Sequence, residues 1–120
     1  MIVARYQESP EITANDGCRL RELIHPGRDE SGVCYSLAVA RVEIGERTVP
    51  HRLTEETEVY YIVAGRGRMH IGDECREVVP RDAIVIPAGR VQWIENLGER
   101  PLEFVALVSP PWRSEHDVRT

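Results

Sequence analysis

Hydrophobic residues occur along the chain in short runs, and each run is bounded by Gly, Pro, Asn or Asp. No stretch longer than about ten residues shows the 3.6-residue repeat of an amphipathic helix, so the pattern predicts a mostly β domain. Turn sequences such as Asn15-Asp16-Gly17 separate the runs. The predicted strands are 18–24, 35–44, 58–64, 68–71, 74–79, 83–86, 91–96 and 102–108.

Short strands with regular turns predict a β-sandwich or a closed barrel, so the expected fold class is all-β. The runs 59–63 and 104–108 are apolar at consecutive positions, which indicates that both faces of these strands are covered. We therefore expect the outer face to meet another layer or a second subunit, as in a homodimer. Near the end of the chain, the S-x-x-D spacing of Ser114 and Asp117 predicts one short C-terminal helical turn.

Length and charge narrow the classes of function. The chain has 120 residues, which fits one domain over 1–120, and 15 basic against 20 acidic residues give a net charge of -5 at pH 7. This charge, without any basic run, argues against nucleic acid and against a membrane surface as partners. All the basic residues are Arg, so Schiff-base and Walker-type lysine chemistry is excluded. The first residues lack a basic segment followed by an apolar run, so we expect a soluble, cytoplasmic protein.

Two long motifs occupy the middle of the chain. The first, over 45–65, is formed by Gly45, His51, Leu53, Glu58 and Gly65, and the second, over 81–96, by Arg81, Pro87, Gly89, Gln92 and Asn96. Their spacing resembles the two motifs of the cupin superfamily. The run 51–62 and the tail Ser-Pro-Pro-Trp112 look like those of small single-domain cupins labelled as mannose-6-phosphate-isomerase-like. The resemblance implies a double-stranded β-helix, a jelly-roll barrel that is often paired into dimers. Leu53 and Gln92 stand where the family has histidines, and Arg81 stands where it has a glycine.

Strand alternation predicts which side chains enter the barrel. If Glu58 faces the interior, Tyr60 and Ile62 do so too, and Gln92 shares one face with Ile94 on a later strand. Burying the Glu58 carboxylate without a partner costs several kcal/mol. Glu58 is therefore expected to bind an ion, to accept hydrogen bonds or to be protonated.

The resemblance and this alternation together predict a metal site. We expect His51, Glu58 and Gln92 to hold a divalent transition metal, which is Mn, Fe, Ni or Zn, with open positions for a small oxygenated metabolite. Leu53 removes one imidazole, so the metal affinity is expected to lie below that of the full family set. Tyr60 is the candidate catalytic residue, because its hydroxyl can donate a proton or orient a ligand.

A metal-free binding or regulatory module is the alternative prediction. In that case His51 and Gln92 orient a small molecule inside the barrel. The lining expected for this pocket is Leu53, Tyr60, Ile62, Met69, Ile71 and Ile94. The substrate and the type of reaction stay open. Arg52 and Arg90 also stay open between recognition of an anion and ordinary surface positions.

The remaining histidines and the tryptophans are interpreted from their positions in the pattern. His70 alternates away from the interior, so it is predicted to lie outside or at a dimer contact. Trp93 and Trp112 are predicted to lie either in a subunit interface or in the core of their own chain. His25 lies in a turn and His116 in the polar tail, so both are expected to face solvent.

Overall fold

Two antiparallel β-sheets pack face to face in the computed structural model, which describes residues 1–120. The strands are β1 (Glu11–Thr13), β2 (Arg19–Ile24), β3 (Ser36–Val42), β4 (His51–Leu53), β5 (Thr57–Ala64), β6 (Gly67–Ile71), β7 (Glu74–Val78), β8 (Ala83–Ile86), β9 (Gln92–Asn96), β10 (Leu102–Ser109) and β11 (Asp117–Arg119). One sheet has the order β1-β2-β3-β10-β5-β8, and the other has the order β11-β4-β9-β6-β7. The all-β prediction is confirmed.

Helical structure is limited to α1 (Pro26–Asp29) and two 3-10 turns, Tyr6–Glu8 and Ser114–His116. The last of these is the predicted C-terminal turn, although Arg113 rather than Ser114 occupies its N-cap position. None of the helical segments is long and apolar enough to cross a membrane.

All eight predicted strands are present, and their ends differ from the prediction by at most two residues. The prediction missed β1, β4 and β11, which have three residues each. A segment of this length is too short to show an alternating pattern. β11 and β4 pair with each other, with Asp117 opposite Leu53, so distant parts of the chain define both strands.

Large apolar side chains fill part of the space between the sheets. Ile62 on β5, Ile94 on β9, and Leu102 and Phe104 on β10 are at most 1% exposed. The ring of Tyr60 packs against the ring of Phe104, with centroids 4.2 Å apart. Burying an aliphatic or aromatic side chain of this size stabilises the fold by about 1.5 to 3 kcal/mol. This cluster holds the two sheets together.

Several motif residues shape turns rather than a site. Gly65 has a φ of 86°, and a Cβ there would lie 2.7 Å from the carbonyl oxygen of Pro101, so only glycine fits. The Asn96 side chain donates to two backbone carbonyls, at 2.9 and 3.0 Å, and thereby closes the turn before β10. Arg81 has a φ of 78° at the position where the family has a glycine. This backbone conformation costs a non-glycine residue about 1 to 2 kcal/mol.

The outer face of the six-stranded sheet is apolar near its centre. Val59 and Tyr61 on β5 lie opposite Leu107 and Val105 on β10. Tyr61 and its neighbour on the sheet, Val85, are exposed, so the chain itself leaves this area uncovered. The expected homodimer is consistent with such a face and stays a prediction.

Candidate functional site

A cavity of about 340 Å³ lies between the sheets. Its floor is formed by small side chains, because Ala38 and Ala40 on β3 and Ala106 on β10 point inward. Ala106 lies directly opposite Ala38 in the sheet, and Phe104 lies opposite Ala40. Three alanines on adjacent strands leave space that larger residues occupy elsewhere in the barrel.

Gln92 links the two sheets through both ends of its side-chain amide. The hydroxyl of Tyr60 donates to Gln92 Oε1 at 2.9 Å, and Gln92 Nε2 donates to Glu58 Oε1 at 2.8 Å. Gln92 is 1% exposed, so these bonds form away from water. Sequence reasoning placed Glu58, Tyr60 and Gln92 together inside the barrel, and the structure brings them into direct contact.

Glu58 lines the cavity and is only 8% exposed. Burial, together with smaller contributions from the nearby carboxylates of Asp16 and Asp117, raises the pKa of its carboxyl group from 4.5 to about 8. The hydrogen bond from Gln92 acts in the opposite direction and is too weak to compensate. At neutral pH the Glu58 carboxyl is therefore mostly protonated and can donate a proton.

His51 presents one ring nitrogen to the cavity. Its Nδ1 lies 2.9 Å from the carbonyl oxygen of Val49, which can only accept a hydrogen bond, so Nδ1 carries the proton. The other nitrogen, Nε2, lies 3.7 Å from Asp16 Oδ2. His51 is 4% exposed and lines the cavity. Nε2 is thus the atom at which this imidazole can accept a proton.

Asp16 is a site residue that sequence reasoning missed. It is buried, it lines the cavity, and its Oδ1 accepts a hydrogen bond from the backbone N–H of Cys18 at 3.1 Å. In the sequence it belongs to an Asn-Asp-Gly turn, and aspartate in such a turn needs no functional explanation. The thiol of Cys18 also lines the cavity, and burial raises its pKa far above the usual value, so it is no thiolate nucleophile.

The C-terminal segment covers the cavity, which the sequence also did not reveal. Trp112 and Asp117 line the cavity, and Trp112 Nε1 donates to Asp117 Oδ2 at 3.0 Å. His25 holds this segment through a contact of 2.8 Å between its Nε2 and the carbonyl oxygen of Trp112. His116 pairs with the buried carboxylate of Glu56. The expectation that His25 and His116 face solvent was wrong, because both anchor this cover to the barrel.

The two tryptophans differ in position. Trp112 packs within its own chain over the cavity. Trp93 stacks on His70, with ring centroids 3.6 Å apart and planes 4° apart. His70 Nε2 also lies 2.6 Å from Glu95 Oε2. His70 does not line the cavity, which agrees with the exterior position predicted for it.

Tyr60 lines the cavity, but its hydroxyl is used to hold Gln92. Burial, and the neighbouring carboxyl groups of Glu58 and Asp16, raise the pKa of the Tyr60 hydroxyl well above 10. It therefore stays protonated and donates to the amide oxygen. In the structure the Tyr60 hydroxyl positions the Gln92 amide, and the catalytic role expected from the sequence stays a prediction.

The pocket lining expected from the sequence needs correction. Leu53 lines the cavity as expected, but Ile62, Met69 and Ile94 belong to the hydrophobic core. Ile71 lies with Met69 at a second opening of about 540 Å³ near β7 and β8. All four residues face inward as alternation requires, yet the open space lies elsewhere, beside the alanines of β3 and β10.

The two arginines near the motifs do not line the cavity. Arg52 is exposed on β4. Arg90 is exposed as well, and its guanidinium lies over Gly72, at the turn between β6 and β7. Of the two alternatives for these residues, the structure favours surface positions.

The side chains at the predicted metal site do not fit a resident transition metal. No group of three or more His, Cys, Asp and Glu side chains converges closely enough to hold an ion. The amide oxygen of Gln92 already accepts from Tyr60, and Leu53 is an apolar residue in place of a histidine. A protonated Glu58 binds a metal only after it loses its proton. The donors are thus fewer and weaker than a closed or catalytic site requires.

Comparisons with known proteins agree with the fold. Residues 38–108 match the family model described as Cupin domain. The chain is 37% identical over 115 residues to the uncharacterized protein MJ1618 of Methanocaldococcus jannaschii, and the match covers 96% of this chain and 91% of that protein.

Solved structures are similar over nearly the whole chain. A predicted oxalate decarboxylase from Thermotoga maritima is 22% identical with a TM-score of 0.79, and the match covers 91% of this chain and 99% of that one. KdgF from Halomonas sp. is 20% identical with a TM-score of 0.75, covering 93% and 96%. At these identities the likeness shows the fold, and it confirms the predicted double-stranded β-helix.

Proposed function

Because the chain belongs to the cupin-domain family, we propose that its barrel binds a small molecule in the cavity beside Glu58 and His51, and that binding needs no metal ion. The main support is one observation: the barrel wall and the C-terminal cover border the cavity, and two buried polar side chains present free atoms to it. A pocket with mostly apolar walls and a few placed polar groups is typical of small-molecule sites.

The size of the cavity supports this proposal. At about 340 Å³ it is larger than the apolar cavity of about 150 Å³ that is known to bind benzene. Ala38, Ala40 and Ala106 provide an apolar floor, while Glu58 and His51 provide polar contacts. A molecule of roughly ligand-fragment size, with an apolar body and a polar end, suits this combination.

Proton-transfer catalysis on the bound molecule is a second candidate function. The observation that favours it is that a proton donor and a proton acceptor line the same cavity. Glu58, with its pKa raised to about 8, can donate, and His51 Nε2 can accept. General acid–base catalysis by such a pair increases rates by about 10² to 10⁴. Asp16 lies beside His51 and stabilises the imidazolium that forms.

Binding of three small probes to chelator-treated protein tests the proposed function. Benzyl alcohol, benzylamine and benzoate share one ring and differ only in their polar group. We expect at least one of them to bind at millimolar or lower concentration and to shift the NMR signals of the Cys18 and Ala106 amides, which lie at the cavity. Titration of the uniformly labelled protein gives the dissociation constants.

Ala38→Leu provides the matched control for this experiment. The larger side chain fills the cavity from β3, so the variant should stay folded and lose the probe-induced shifts. If none of the three probes binds, or if the shifts are the same in Ala38→Leu, the proposed binding site is wrong.

A further inference from the structure

The polar groups around the cavity are mostly carboxyl groups. Asp16, Glu22, Glu58 and Asp117 line it, and no arginine does. Of these, Glu22 forms an ion pair with Arg28. The other three have no arginine partner within ion-pair distance, and His51 is the only basic side chain at the cavity.

The hydrogen bonds of Asp117 and Asp16 come mostly from neutral donors. Asp117 accepts from the amide of Asn15 at 3.0 Å and from the indole of Trp112 at 3.0 Å. Asp16 accepts from a backbone amide, and its second oxygen faces His51. Both carboxylates line the same cavity as Glu58. Asp16 is buried and Asp117 is half-buried, and neither carboxylate has an arginine partner.

Glu58 supplies an independent sign of a ligand. It is 8% exposed, its Oε1 accepts from Gln92, and its Oε2 accepts no hydrogen bond from the protein although the side chain lines the cavity. His51 Nε2 also has no hydrogen-bond donor or acceptor within bonding distance. The cavity therefore presents two polar side-chain atoms, Glu58 Oε2 and His51 Nε2, that have no hydrogen-bond partner in the protein.

We propose that the ligand of this cavity is a small organic cation, in which an ammonium group is attached to a compact apolar body. This inference rests on the proposed function and names its ligand class. The ammonium donates hydrogen bonds to the carboxylates of Asp16 and Asp117, which line the cavity beside the protonated Glu58. The apolar body packs against Leu20 and the alanine floor. A carboxylate ligand is excluded by repulsion from the same groups, since the cavity has no arginine to bind it.

The relative affinities of the three probes test this inference. Benzylamine should bind at least about ten-fold more tightly than benzyl alcohol, because hydrogen bonds between charged groups are stronger than neutral ones. Benzoate should not bind at millimolar concentration. Asp16→Asn should weaken benzylamine about five-fold or more and leave benzyl alcohol within about two-fold, because Asn keeps an oxygen for the Cys18 amide but has no charge.

Two further variants test whether the effect comes from the charges at the cavity. Asp117→Asn removes a second cavity charge and should weaken benzylamine in the same direction. Glu99→Gln removes an exposed charge in the turn after β9, so it should change neither affinity. Equal binding of benzylamine and benzyl alcohol, or tightest binding of benzoate, overturns the cationic ligand while the proposed binding site stands. Absence of binding by all three probes contradicts the binding site itself.

Discussion

Raising the pH from about 5.5 to about 7.5 should lower the free energy of unfolding by about 2 to 3 kcal/mol through Glu58 alone. The folded protein holds the Glu58 proton up to a pKa of about 8, whereas the unfolded chain releases it near 4.5. Between these values the folded state binds more protons, so its stability falls by about 1.4 kcal/mol per pH unit. The contribution is fully present below the unfolded pKa and is lost as the pH approaches the folded pKa.

Urea unfolding across this pH range, with Glu58→Gln as the control, measures the effect. Gln keeps the shape of the side chain and cannot titrate. The unfolding free energy of the Glu58→Gln variant should therefore change with pH only through the other titratable groups. The difference between the two proteins isolates Glu58. Parallel curves for the wild type and Glu58→Gln would show that Glu58 titrates normally in the folded state.

Gln92→Leu should destabilise the protein by about 3 kcal/mol, because each buried polar group left without its partner costs about 1 to 3 kcal/mol. Leucine has a similar volume, so the loss comes from hydrogen bonds rather than from a void. The variant leaves the Tyr60 hydroxyl and one oxygen of Glu58 unpaired. Chemical denaturation of the two proteins at one pH gives the difference.

The double variant Gln92→Leu with Tyr60→Phe separates the two losses. Removing the hydroxyl that has lost its acceptor should recover about 1 kcal/mol relative to Gln92→Leu alone. A loss below about 0.5 kcal/mol in Gln92→Leu, or no recovery in the double variant, would mean that the bond between the sheets contributes little.

The barrel fold and the grouping of its polar residues could be predicted from the sequence. Alternation along β5 and β9 predicts that Glu58, Tyr60 and Gln92 point inward, and the motif spacing adds His51. These predictions rest on local periodicity, which a single sequence shows directly. The structure places all four in the barrel interior.

The position of the cavity could not be predicted from the sequence, because it depends on how several strands that are distant in the chain pair and pack. Ala38 on β3 and Ala106 on β10 look like ordinary strand residues until their register places them opposite each other. Asp16 and Asp117 lie in a turn and a tail, where acidic residues are common. Only the paired strands β4 and β11 and the C-terminal cover bring them to one site.

The orientation of the Gln92 side-chain amide could likewise not be predicted from the sequence. The sequence predicts that the side chain points inward and therefore suggests a metal ligand. Whether its oxygen is available depends on the hydroxyl of Tyr60 and the carboxyl of Glu58, which both contact the amide in the folded barrel. Whether Gln92 binds a metal or forms these hydrogen bonds therefore depends on side chains from two strands in different sheets, β5 and β9.

The metal content of the purified protein tests most directly whether this barrel works without an ion. The protein and its His51→Ala variant are expressed in medium supplemented with Mn, Fe, Ni and Zn and are examined by elemental analysis and by thermal unfolding with and without chelator. We predict far less than one equivalent of any transition metal in both proteins, and an unfolding midpoint that neither chelator nor added metal changes. One bound equivalent of a transition metal in the wild type, lost in His51→Ala, would contradict the account.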